Sequence, residues 1–357
     1  MVVVRTKCSK RRCKCFALFP FFVARSLAIP TFMASSQKIT SPVLFMVFNR
    51  PEPTARVFET IKKARPPRLY IAADGPRASH ETDQELCLMT RAVTDDVDWE
   101  CEVKTLFRDT NLGCKRAVDS AIDWFFEHEE AGIILEDDCL ASASFYTYCT
   151  ELLAKYRDDS RVMVISGVNL NPHSPKIAET YYFSKIMRIW GWATWRRAWQ
   201  LHDKEMKSFP DFLEKKQYQD LFEDPNIALY WVKCWLSTYL GEIDTWDYDW
   251  MYTFLIKGGI CIKPSVNLVS NIGFGEDSTH TSNPNSKSAN LPLHELGKIE
   301  HPTAVICNEE ADLQEYEHAL RIYPAKDKCS IRYRLKRIRK RRKYRKQIQR
   351  GRRKMKL

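Results

Sequence analysis

From Val43 onward the chain alternates short apolar runs with longer segments whose apolar residues recur at helical spacing. Val43 to Phe48 is an apolar run ended by Asn49-Arg50-Pro51, and residues 54–64 then carry Val57, Phe58 and Ile61 on one helical face. Leu69 to Ala73 predicts a second strand, closed by Asp74-Gly75-Pro76, a turn signal with a carboxylate at the strand tip. A helix of mixed polarity is expected over residues 80–95, then a third strand from Cys101 to Phe107, closed by Asp109, Asn111 and Gly113. Residues 114–128 predict an amphipathic helix with Val118, Ile122, Phe125 and Phe126 on one face. It leads into Ala131 to Leu140, AGIILEDDCL, where an apolar run meets Glu136, Asp137 and Asp138. Such runs suit a parallel strand covered on both faces. The alternation implies right-handed βαβ crossovers and an α/β fold, a mostly parallel, Rossmann-like sheet flanked by helices.

The second half is less regular. A helix over residues 143–156 and a strand from Val162 to Val168 are expected, and the stretch to Lys185, with Pro172 and Pro175, reads as a polar loop. Ile189 to Trp199, IWGWATWRRAW, holds four tryptophans: the start of a core-packing aromatic helix, or a surface whose indole faces stack on sugar rings. Residues 209–256 read as aromatic-rich helices with Asp244, Asp247 and Asp249 at their centre. Ile260 to Val269 alternates like a strand, and Gly273 to His280 reads as a flexible loop.

The acidic triplet is the candidate centre. In open α/β sheets ligands bind outside the carboxyl ends of the strands, where these acids would sit. Alternation points Glu136 and Asp138 one way and Asp137 the other, so at least one carboxylate is free to hold a metal. Neither GxGxxG nor GxxxxGK[ST] follows any of the strands, which argues against a nicotinamide dehydrogenase or a P-loop phosphotransferase. A hard divalent cation, Mn²⁺ or Mg²⁺, held by carboxylates is the expected way to handle phosphate. Beside such a metal, His280 is a candidate ligand or diphosphate contact.

Charge changes the picture at the two ends. The 357 residues carry a formal net charge of +11, but residues 331–357 hold about sixteen Lys and Arg and residues 1–40 about eight, with no acid in either. The body between is therefore acidic, by about 13 charges. Residues 1–40 read as a disordered or targeting segment: Phe16 to Val23 is too short to span a membrane and is broken by Pro20. The 12 cysteines form no CxxC pair, which argues against a structural zinc site and a dense disulfide framework and suits a cytosolic enzyme. The basic tail, residues 331–357, is expected to be disordered or to lie on an anionic membrane surface. The remaining divisions expected are a nucleotide-sugar and metal-binding half (41–170), an acceptor-binding and catalytic half (171–300) and an extension (301–330).

Over roughly residues 41–282 the chain resembles the GT-A glycosyltransferases, and within them the N-acetylglucosaminyltransferase I type and related bacterial sugar transferases. The likeness rests on Asp74 at the second strand tip, Glu136-Asp137-Asp138, Trp246-Asp247-Tyr248-Asp249-Trp250-Met251, and Cys261-Ile262-Lys263-Pro264 leading through Phe274-Gly275 to His280. It implies a metal-dependent, inverting transfer of a sugar, expected to be UDP-linked, from a nucleoside diphosphate to an acceptor hydroxyl. It implies Asp74 at the nucleobase, Glu136 and Asp137 near the ribose and the waters of the metal, Asp138 on the metal, and Trp192 near the transferred sugar. Asn49, Arg50 and Lys115 complete the candidate nucleotide-sugar contacts. The family's paired acids before Trp-Met are adjacent, whereas Tyr248 separates them here, so the base is Asp249 or Asp247 according to the anchor chosen. The acceptor, whether glycan, lipid-linked or protein-linked, is left open.

Two rivals remain. A sugar-phosphate nucleotidyltransferase shares the Rossmann-like half, but enzymes of that kind carry a Gly-rich loop after the first strand, where this chain has Asn49-Arg50-Pro51. A non-catalytic binder of anionic membrane or nucleic acid, acting through the basic tail, is the other; no specific nucleic acid is expected.

Overall fold

The structure, a computed structural model, describes residues 39–171, 179–275, 286, 288–326 and 330–355. β1 (Val43–Val47), α1 (Pro51–Ala64), β2 (Arg68–Ala73), α2 (Asp83–Val93), β3 (Glu102–Phe107), α3 (Cys114–His128) and β4 (Ala131–Glu136) follow one another as the apolar pattern predicts. Then come β5 (Cys139–Ala141), α4 (Ala143–Lys155), β6 (Val162–Ser166), β7 (Tyr181–Ser184), β8 (Trp192–Trp195) and α5 (Arg196–Trp199). The remainder holds α6 (Phe209–Glu214), α7 (Tyr218–Leu221), α8 (Pro225–Tyr239), α9 (Asp247–Ile256), β9 (Ile260–Pro264), β10 (Val269–Asn271), α10 (Glu309–His318) and α11 (Ile331–Met355).

Among the described residues, eight strands form one sheet in the order β3-β2-β1-β4-β8-β6-β9-β7. The first four are parallel, β8 runs antiparallel between β4 and β6, and β7 is antiparallel to β9 at the far edge. This is a mixed α/β, Rossmann-like fold. The chain winds outward from β1 to β3 and then returns to β4 on the other side of β1. A crevice forms at the carboxyl ends of strands where the winding reverses, here between β1 and β4.

Strand alternation sorts the core into two layers. Leu44 and Met46 lie in one core layer with Ile122 and Phe125 of α3, a layer that continues through the aromatic residues of α8 and α9. Val43, Phe45 and Val47 pack with Val57, Phe58 and Ile61 of α1 and Leu152 of α4. Each such phenylalanine or leucine contributes about 1.5–3 kcal/mol through burial. Pro51 opens α1 because a helix's first N–H groups need no intrahelical partner, and Arg65, at φ 53°, closes it by donating to the Ile61 carbonyl at 2.9 Å.

The second half departs from the reading of its sequence in four places. The polar loop expected up to Lys185 contains β7, whose four residues are all buried. The tryptophan-rich stretch begins as a strand, β8, before turning helical at Arg196. The expected strand from Ile260 to Val269 is two strands on different sheets, because Asn169 binds the Pro264 carbonyl at 3.0 Å and donates its own N–H to Asn267 Oδ1 at 3.1 Å, turning the chain between them. The basic tail is neither chain without structure nor a detached arm: through Met355 it is the helix α11, docked on α8.

The β7 edge is covered by α10. Asn308 N–H donates to the Phe183 carbonyl at 2.8 Å, and Asp312 accepts from Ser184 Oγ and from Lys185 N–H at 2.8 Å. Glu315 pairs with the fully buried Lys263 and with Arg188 Nε at 2.7 Å. Burial works against the Glu315 charge, but Lys263 and Arg188 hold its pKa below the ordinary value. Breaking a buried pair from one side leaves an uncompensated charge, so Glu315→Ala is expected to lower unfolding free energy by about 3–5 kcal/mol, read from the urea midpoint.

Candidate functional site

Register places the site. Val47 pairs with Ala73 and Met46 with Glu136, so β1, β2 and β4 end together and release Asn49-Arg50, Asp74 and Glu136 to Asp138 at one edge. The end of β3 adds Arg108 and Asn111, and the first turns of α3 add Gly113, Cys114 and Ala117. These residues line a cavity of about 340 Å³ that also receives Arg77 and Asp244. Five of the expected nucleotide-sugar contacts, Asn49, Arg50, Asp74, Glu136 and Asp137, lie in its wall.

Asp74 is held by donors rather than by a cation. Gly75 N–H (2.9 Å), Leu112 N–H (3.1 Å) and Asn111 Nδ2 (2.9 Å) all reach it. Burial nonetheless pushes its pKa up, against the lowering effect of those N–H groups. Asn49 donates to Asp83 at 2.8 Å, and Arg77 Nε reaches the same carboxylate at 2.6 Å, so Asn49 fixes the start of α2 while lining the cavity.

The acidic turn is organised by Arg50. Its guanidinium joins Asp137 and lies 3.0 Å from Asp138 Oδ2. Burial opposes the Arg50 charge, yet Asp137 and Asp138 raise its pKa above the ordinary arginine value. Burial, then Asp138 and Asp137, push the Glu136 pKa up; burial also raises that of Asp137, against the Arg50 charge. β10 returns to this turn: Asn271 Nδ2 donates to Asp138 Oδ1 at 3.2 Å, and Ile272 N–H to the Asp138 carbonyl at 2.9 Å. At Gly273 a Cβ would sit 2.2 Å from Asp138 Oδ2 and 2.7 Å from Arg50 Nη1, so only glycine allows this approach. His280 and Pro172 lie outside the described residues.

Neither of the two candidate bases lines this cavity. Asp247 opens α9, is partly exposed and accepts from Thr245 Oγ1. It lines a second pocket of about 140 Å³ with Arg188, Trp190, Trp231 and Tyr248. Asp249 is wholly buried, with Lys115 Nζ at 2.6 Å and His202 Nε2 at 2.9 Å. Lys115 thereby faces Asp249 and the Lys204 carbonyl and is not among the residues lining the cavity. Trp192 is also placed otherwise than expected: it is 1 % exposed, stacked on Trp246 with ring centroids 5.7 Å apart, and offers no face to a ligand. The even register of β8 against β4 turns its ring into the core.

Reading the sequence did not single out Arg77, Arg108, Asn111 or Asp244 as cavity residues. Asn111 was visible as part of the turn closing β3; Asp244 reaches the cavity only because the segment before α9 folds back over α3, where a Cβ on Gly113 would lie 3.1 Å from Asp244 Oδ2.

Among the described residues no three or more His, Cys, Asp or Glu side chains converge as a metal-binding group. The donor set at the acidic turn is all oxygen, from Asp137 and Asp138, and fits a hard cation that takes one or two carboxylates and completes its shell with phosphate and water. The eight described cysteines are all unpaired, and no described helix is long and apolar enough to cross a membrane.

No protein-family model and no curated protein matches the chain. Solved structures do align with it. UDP-glucose pyrophosphorylase without ligand aligns at TM-score 0.34 and 10% identity, over 65% of this chain and 93% of its own. HddC from Yersinia pseudotuberculosis aligns at 0.28 and 9%, over 44% and 78%. The 4-diphosphocytidyl-2C-methyl-D-erythritol synthase from Anaerococcus prevotii aligns at 0.28 and 6%, over 45% and 74%.

Behind the acidic turn lies a buried chain of titratable groups. His202 Nδ1 is 3.8 Å from Asp119, while its Nε2 meets Asp249. Burial lowers the His202 pKa, and burial followed by the Asp249 charge pushes Asp119 up to about 7. A carboxyl with a raised folded-state pKa favours folding at low pH, and that contribution is lost as pH rises through the folded value. Asp119→Asn is therefore expected to gain stability relative to the native chain as pH rises from about 4 to about 7, by a few kcal/mol at most. Urea midpoints measured across that window test it; a constant difference would show that Asp119 does not titrate there.

Proposed function

We propose that the chain is a glycosyltransferase that moves a sugar from a nucleoside diphosphate sugar to an acceptor hydroxyl, inverting the anomeric carbon. The observation that supports this reading is a pair of carboxylate sites at two pockets, the acidic turn in the larger and Asp247 in the smaller. Glu136 to Asp138 lie at the end of β4, and Asp247 lies on α9, close enough for its charge to raise the Glu136 pKa. The nucleotide occupies the cavity at the β1–β4 reversal, with Asp74 and Asn111 toward the base and Arg50 and the acidic turn toward the diphosphate. Arg50 can exchange its carboxylate partners for phosphate oxygens, which match its fork equally well. A manganese or magnesium ion held by Asp138 and Asp137 would neutralise charge on the departing diphosphate.

Asp247 takes the proton from the acceptor hydroxyl. It is partly exposed, and the partly exposed Trp190 and Tyr248 beside it suit a sugar ring. Asp249 serves by position: paired with Lys115 and His202, it holds α9 and the aromatic core behind Asp247.

A second reading, sugar-phosphate nucleotidyl transfer, uses the same cavity. One observation and one chemical argument favour the first reading. The link from β1 to α1 is three residues, Phe48 to Arg50, with no glycine-rich loop. A phosphate nucleophile is also already ionised at neutral pH and needs no base, whereas a sugar hydroxyl needs one.

The test is product analysis. The purified chain is incubated with a panel of nucleoside diphosphate sugars, with and without Mn²⁺, and in parallel with nucleoside triphosphates plus sugar 1-phosphates. Metal-dependent release of nucleoside diphosphate, abolished in Asp138→Ala, is expected; pyrophosphate release instead would assign nucleotidyl transfer. Asp247→Asn is expected to lower turnover about 10²–10⁴-fold with nucleotide affinity unchanged. Asp249→Asn is expected to lower the melting temperature, and a product retaining the donor's anomeric configuration would exclude inversion.

A further inference from the structure

α11 carries two faces of different use. One is docked: Tyr344, Ile348 and Gly351 are buried, Tyr344 packs edge-on against Tyr230 of α8 with centroids 6.0 Å apart, and a Cβ on Gly351 would lie 2.4 Å from Leu236. Asp224 and Glu242 tie it down through Arg337, at 2.8 Å, and Lys354. On the other face Ile331, Leu335 and Ile338 are 77%, 47% and 47% exposed. Their spacing of four and three residues makes a single stripe on one side of the helix. Exposed cations, among them Arg334, Arg339 and Arg342, flank it. The helix holds about fifteen Lys and Arg and no acid, while the body it sits on is acidic.

We propose that α11 seats the protein on an anionic lipid surface, with its cations at the headgroups and the Ile331-Leu335-Ile338 stripe in the boundary with the acyl chains. Two features of one face carry the choice. Polybasic helices are drawn to negative leaflets by charge, and amphipathic helices gain further by burying an apolar face at the interface. A phosphate backbone answers the charge alone; it offers nothing that shields three exposed aliphatic side chains. Docking on α8 presents this face without any folding step, so the ordering cost of a disordered arm does not arise. The inference is independent of the reaction proposed above.

The experiment is vesicle flotation of the full chain, using phosphatidylcholine vesicles with and without about 30 % phosphatidylserine, at rising salt. Comparison is with an Ile331→Ser, Leu335→Ser, Ile338→Ser triple variant, which leaves the docked face intact, and with Leu335→Trp as a reporter. Flotation with the anionic vesicles alone, weakening with salt, reduced about tenfold or more in the triple variant, and a blue-shifted Leu335→Trp emission are expected. Equal binding to neutral vesicles, undiminished binding by the triple variant, or no emission shift would each overturn it. Failure to float, together with equal binding of duplex DNA or RNA by native and triple-variant protein, would assign the helix to nucleic acid.

Discussion

Three carboxylates at the tip of a buried strand are an electrostatic problem that the surrounding structure answers. Burial, with like charges so close added to it, raises the pKa of Glu136 and Asp137, and a cation at the same place helps them ionise together. Arg50 supplies it from the neighbouring strand tip. That contact demands that β1 and β4 end in register, which in turn demands that the chain return to the far side of β1 after β3. Asn271 and Gly273 then close over the turn from β10, so residues far apart in the chain share one charge cluster.

The remainder of the second half supports Asp247. The tryptophans that could have been a sugar platform are divided in use: Trp192, Trp199, Trp246 and Trp250 interlock in the core, whereas Trp190 and Trp231 reach the smaller pocket. The buried Asp119 and Asp249, with His202 and the partly exposed Lys115, form a polar seam through this apolar region. Such a seam fixes α3 and α9 relative to each other, because a shift of either strands a buried charge. α9 thus presents Asp247 from a rigid base.

The first half was legible in the order of its residues. Each strand was a short apolar run with turn chemistry at its end, and the helices showed one apolar face; Pro51, Gly75 and Gly113 marked the breaks. The carboxylates at the tips of β2 and β4 followed from the same pattern, since what comes immediately after a parallel strand lies at the sheet's carboxyl edge. In the second half local pattern competed with tertiary demand. β7 looked polar in context yet is buried because α10 covers it, and the basic tail is a helix because α8 offers Tyr344 and Ile348 a place to pack.

Choice among chemically equivalent residues lay beyond the sequence. Asp247 and Asp249 are two residues apart with the same side chain, and about half a turn of helix sends the first to a pocket and the second into the core. Trp192 and Trp190 are likewise two apart, one sealed in the sheet and the other lining a pocket. Periodicity and punctuation act over a few residues, and they sufficed for the class of fold and the position of the acidic turn. Which of two like side chains meets solvent depends on packing partners many residues distant, and only the assembled layers supply them.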